Sequence, residues 1–130
     1  MIQFLDSESR VRPDLLDKEA LKVADSILRV SPTQMRRIFD QIKQLVKRID
    51  SGDSWQDVEP LVRLQKAQLV YTMRRGRKNG GRDREMDWDN FMKFMDEALN
   101  SVKTEKDYRA FSMMMEAVYA YHYARTKERI

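Results

Sequence analysis

Thirteen cations crowd three short stretches of this 130-residue chain, and nine of them are arginines. Arg36, Arg37, Lys43, Lys47 and Arg48 form the first group. Arg63, Lys66, Arg74 and Arg75 form the second, and Arg77, Lys78, Arg82 and Arg84 the third. A guanidinium is a planar fork whose N–H groups match two phosphate oxygens at once. Clustered cations of this kind bind nucleic-acid backbones without regard to base sequence. The affinity falls steeply with salt, because binding releases counterions. The chain's net charge of +4 is a weak indication by itself. Its distribution says more: residues 32–50 carry +3 and residues 74–84 carry +5, while the remainder sums to −4.

Other chemistry is poorly provided for. There is no cysteine, which excludes disulfides and thiolate metal sites and fits a reducing cytosol. The single histidine, His122, shares an apolar helix face with Tyr119 and Met115 and reads as a hydrogen-bonded core or interface residue. Zinc chemistry needs several His or Cys ligands, and a Ser–His–Asp set cannot be argued around this histidine. Glu85, Asp87 and Asp89 could hold a hard cation. Their place at an expected helix start suits charge complementing the helix dipole better. Asp53 and Asp57, near Trp55, read as capping residues. Gly76 to Gly81 lacks the Gly-Lys-Ser/Thr ending of a phosphate-binding loop. No catalytic residue, metal or cofactor is expected. No apolar run approaches the roughly 20 residues of a membrane helix, and the first thirteen residues lack the apolar stretch of a signal peptide.

The elements that must position the cations are helical throughout. A first helix is expected over residues 14–29, with residues 1–12 as a loose arm. The second begins at the N-cap Ser31, with Pro32 at its first position and Gln34 completing a capping box. Met35, Ile38, Phe39, Ile42, Leu45, Val46 and Ile49 form its core stripe, and Ser51-Gly52 ends it. Arg36, Lys43 and Lys47 share a narrow arc of its outer side, with Arg37 and Arg48 adjacent. A third helix starts at Trp55 or Pro60 and runs to Arg75. Leu61, Leu64, Leu69, Val70, Tyr71 and Met73 surround most of it, so it should be well buried. Residues 76–84 read as a flexible basic loop. A fourth helix is expected over residues 87–102. A fifth, capped by Thr104, is apolar on two sides and therefore central or at an interface. Met113, Met114 and Met115 cannot all face one direction, so one must meet a second surface. The expectation is an all-α, compact bundle of about five helices in a single domain spanning residues 1–130.

Three segments resemble the small subunit of type III-A CRISPR interference complexes, the Csm small-subunit family. Residues 31–42, Ser-Pro-Thr-Gln-Met-Arg-Arg-Ile-Phe-Asp-Gln-Ile, are similar to the family's Ser/Thr-x-x-Gln-apolar-Arg opening of a basic helix. Residues 64–75, Leu-Gln-Lys-Ala-Gln-Leu-Val-Tyr-Thr-Met-Arg-Arg, resemble a segment reading leucine, lysine, proline, lysine, leucine, alanine, tyrosine, then an arginine. Residues 107–122 resemble a closing helix of the form Phe-x-x-Phe…Glu-Ala-x-x-Ala-Tyr-His. The three cover about 40 of 130 residues in family order. Ala67 and Gln68 depart from the pattern, standing where the family often has proline and a second lysine. That weakens any phosphate contact at position 68, and the arginine-rich loop would compensate.

The resemblance implies a subunit without its own active site, in the prokaryotic cytoplasm, serving antiviral defence. Copies would self-associate as an inner filament beside guide RNA and target RNA, with other effector subunits performing cleavage. Arg36, Lys66 and Arg74 or Arg75 would be the leading backbone contacts. Arg37, Lys43, Lys47 and Arg48 would widen the track, and Arg63, Arg77, Lys78 and Arg82 would extend it. The small subunit of type III-B complexes is the near alternative. A helical protein-interaction adaptor is the alternative from another class, motivated by Met113–Met115 and the net −2 charge of residues 85–130. A helix-turn-helix over residues 14–50 is disfavoured, because the cations run the whole length of the second helix, which suits backbone contact.

Overall fold

The computed structural model describes the backbone of residues 1–77 and 81–128, and the side chains of residues 1–75 and 81–126. Its helices are α1 (Lys18–Ser26), α2 (Pro32–Asp50), α3 (Trp55–Arg77), α4 (Arg82–Asn100) and α5 (Glu105–Glu128), preceded by a 3₁₀ turn at Pro13–Leu15. The described residues contain no strand beyond one isolated bridge between Leu5 and Val11. The all-helical bundle expected from the periodicity is therefore the fold.

Local chemistry sets the ends of these helices. Ser31 caps α2 by accepting the Gln34 amide at 3.2 Å, and Pro32 occupies a position where no N–H is needed. The reciprocal half of the expected box is missing, since the Gln34 Oε1 atom is buried without a hydrogen bond among the described residues. At the other end, Gly52 takes φ 109°. Its amide reaches the Ile49 carbonyl at 3.1 Å, and the Asp53 amide reaches that of Arg48 at 3.0 Å. This paired pattern is a Schellman stop, and it needs a left-handed residue where glycine costs least. Thr104 and Asp107 form a complete box at α5: Asp107 N donates to Thr104 Oγ1, and Asp107 Oδ2 accepts from Thr104 N, both at 3.2 Å.

Three expectations need correction. Residues 1–12 are not a loose arm. Phe4 is 2% exposed and meets Phe111 edge-on with ring centroids 6.3 Å apart. The Ile2 amide donates to Ser101 Oγ at 2.9 Å, and Asp6 closes the hairpin by accepting the Glu8 and Arg10 amides, each at 2.9 Å. The Arg10 amide, first of all, holds the Asp6 carboxyl below its ordinary range. The first helix is shorter than expected and interrupted, with Leu16 and Asp17 separating the 3₁₀ turn from α1. The basic loop is shorter too: Gly76 and Arg77 finish α3, and Arg82 opens α4, where the acidic Asp83 and Glu85 complement the dipole. Asp87 thus lies inside α4. It is 6% exposed and accepts the Arg29 amide at 2.7 Å.

Helix α5 packs chiefly on α1 and α2, while α3 packs chiefly on α4. Tyr108, Phe111, Met114, Met115 and Val118 are all buried, and Met113 is the outward methionine of the triplet. Side chains of this size stabilise by roughly 1.5–3 kcal/mol each when fully buried. His122 is buried as well, and its Nε2–H donates to the Val30 carbonyl at 2.9 Å, tying α5 to the turn before α2. Burial pushes the His122 pKa below its ordinary value, so the ring is neutral at physiological pH.

Candidate nucleic-acid interface

Helix α2 buries Met35, Ile38, Ile42, Val46 and Ile49, which leaves two flanks for its polar residues. One flank, with Gln34, Arg37, Gln41, Gln44 and Arg48, turns toward α3. Helix α3 answers with two parallel stripes. Val58, Val62, Gln65, Leu69 and Met73 are buried. Leu61, Leu64, Gln68, Tyr71 and Arg75, displaced around the helix, face the α2 flank. The result is a continuous cleft with two parts, one of about 930 Å³ and one of about 260 Å³, joined at Gln41, Tyr71 and Thr72.

A buried polar network fixes the two walls. The Gln65 amide donates to the Gln41 carbonyl of α2 at 2.9 Å, and Tyr108 of α5 donates to Gln65 Oε1 at 2.7 Å. Burial raises the Tyr108 phenol well above its ordinary value, so it remains a donor. Both side chains are removed from solvent, which makes each bond costly to lose.

The cleft's electrostatics are one-sided. Arg37, Arg48 and Arg75 line it, and no carboxylate among the described residues does. Arg37 makes no ion pair within the described residues, and Arg75 holds its guanidinium carbon 5.9 Å from the centre of the Tyr71 ring. Arg48 pairs with Asp53 at 2.8 Å at the cleft's far end.

The other candidate cations fall elsewhere. Arg36, Lys43 and Lys47 form the outer ridge of α2. Arg36 pairs with Asp40 at 3.4 Å, and a hydrogen bond with Tyr119, ahead of the Asp40 charge, raises its pKa. Lys43 lies 3.8 Å from Glu116 and 6.0 Å from the Phe39 ring centre. Lys47 has no ion pair within the described residues. Arg63 and Lys66 leave by the opposite side of α3. Arg63 donates to the Leu99 and Val102 carbonyls, each at 3.0 Å. Lys66 meets Asn100 Oδ1 at 2.7 Å and Asp96 at 2.9 Å. Arg63 thereby covers carbonyls at the end of α4, where a cation suits the helix dipole, and Lys66 meets side chains of the same last turns. Arg74 is exposed beside Arg75, and Arg82 is exposed at the start of α4. Lys78 and the Arg77 side chain lie outside the described residues.

The sequence treated Leu64 and Tyr71 as burial signals, yet they are 53% and 64% exposed. Their spacing with Leu61, Gln68 and Arg75 was the available clue, because it defines a second stripe beside the core one. The glutamines of the cleft carried no signal by themselves.

Fold and cleft together define an all-helical protein with an arginine-lined groove between two antiparallel helices. The family model Csm2 Type III-A matches residues 10–128, and the chain belongs to that family. It is accordingly a subunit of a type III-A CRISPR effector complex, which decides between the two subtypes weighed from the sequence. No match was found among curated proteins or solved structures.

Proposed function

We propose that this protein is a non-catalytic scaffold of the effector ribonucleoprotein that holds guide or target RNA by its backbone, in the cytoplasm, beside subunits that cut. The observation that carries this reading is the lining of the α2–α3 cleft, with three arginines, amides and no carboxylate. The chain has 21 acidic residues, so a groove with no carboxylate among its described lining residues, bordered by two basic helices, is not its average surface. Phosphates would sit against Arg37 and Arg75, with Lys47, Arg36 and Lys43 continuing the track over the outer ridge. The lone histidine gives its Nε2–H to the Val30 carbonyl and is fully buried, so its ring does not reach the cleft.

Single-stranded RNA titrated at several salt concentrations tests the proposal. Neutralising about three phosphates gives a log–log slope near −2. The double variant Arg37→Glu, Arg75→Glu should lose roughly 100-fold in affinity while its far-UV circular dichroism stays helical, since neither side chain is buried. A salt-independent affinity, or an unaffected double variant, would place the RNA elsewhere.

A protein contact is supported on a separate surface. Met113 is 47% exposed on α5, beside Leu16, Ala117 and Ala120. That patch, rather than the cleft, suits a neighbouring subunit or a second copy, because it offers small and apolar side chains.

A further inference from the structure

We infer that the α2–α3 cleft is a subsite for one unpaired nucleobase, with Tyr71 as the stacking surface. The inference rests on the RNA reading above and adds a base contact that a phosphate track by itself lacks. Tyr71 is 64% exposed, whereas Tyr108, Phe4, Phe91, Phe111 and Trp88 are buried. It stands at the junction of the two parts of the cleft. Arg75, one turn later, keeps its guanidinium near the ring at 5.9 Å and adds a second flat, cationic surface. Stacking on an aromatic ring flanked by arginine is how single strands are held without strong base preference.

The space beside the ring has the right scale and chemistry. At about 260 Å³ the smaller part lies below the roughly 300 Å³ at which small-molecule pockets begin, so it suits one ring system. Its walls carry Gln34, Gln41 and Thr72. Amides and hydroxyls both donate and accept, so they can meet the edge of any base. Arg37 and Arg75 at its mouth would hold the flanking phosphates. A partner helix fits less well. It would use Leu61, Leu64 and Ala67 of the larger part, but would bury the arginines and amides of the smaller part without partners.

The test uses the full chain at low salt, with a short oligouridine and an abasic oligomer of the same length and charge. The intact oligomer should bind about tenfold tighter or more, the margin expected of one stacked base. Tyr71→Ala should abolish that margin and Tyr71→Phe should keep it. Both variants should retain the wild-type melting temperature, because the side chain is solvent-facing. Equal affinity for intact and abasic oligomers, with binding still lost in Arg37→Glu, overturns the base subsite and leaves the phosphate reading standing. If neither oligomer binds, both readings fall. If Tyr71→Ala binds RNA normally but no longer enters a reconstituted effector particle, the cleft belongs to a neighbouring subunit and the inference falls.

Discussion

Arg63 and Arg75 lie on the same helix, are both exposed to some degree, and meet entirely different neighbours. Arg63 faces the end of α4, where the Leu99 carbonyl of the last turn and the Val102 carbonyl just beyond it draw its guanidinium in. Arg75 faces α2, whose flank offers amides, an arginine and no carboxylate. One cation closes the fold, and the other keeps the Tyr71 ring beside it at the cleft. Residue type does not separate them. What separates them is whether the opposite helix presents its negative end or its neutral flank.

The largest effect that would break this comparison is on stability. Arg63→Ala takes the charged donor from the Leu99 and Val102 carbonyls and should cost about 2 kcal/mol in urea unfolding. RNA affinity, measured beside it, should change little. A large loss of RNA binding with unchanged stability would move Arg63 to the ligand side and erase the distinction.

Tyr108→Phe sharpens the comparison from the cleft side. It removes the donor to the buried Gln65 oxygen and should cost about 1–2 kcal/mol. It should also weaken RNA binding slightly, because Gln65 holds the α3 wall to the Gln41 carbonyl. Unchanged stability would mean that the network does not set the cleft's width.

The smallest effect is expected for Lys66→Ala. Its partners are Asp96, itself 58% exposed, and Asn100, so the loss should stay under about 1 kcal/mol. Affinity for RNA should hold within about twofold. A tenfold loss would show that Lys66 swings away from α4 to reach the ligand.

Much of the architecture was open to inspection in the sequence. Ser31, Pro32 and Gly52 mark the ends of α2 because capping and left-handed stops are settled within a few residues of backbone. Thr104 and Asp107 do the same for α5. The hairpin of residues 1–12 was missed because its order comes from Phe4 meeting Phe111, a contact with no local trace. The start of α4 was missed because basic, glycine-containing sequence reads as loop, while Asp83 and Glu85 complement a helix N-terminus at Arg82, five residues before the expected start at residue 87.

By itself the sequence determined the helical class, the ends of α2 and α5, and which segments carry excess positive charge. These depend on spacing, caps and composition, which act over one or two turns. Only the tertiary structure decided the fate of each cation. That choice turns on what stands across a helix–helix seam, and residues from α2, α3, α4 and α5 that are far apart in the chain meet there only once the bundle has formed.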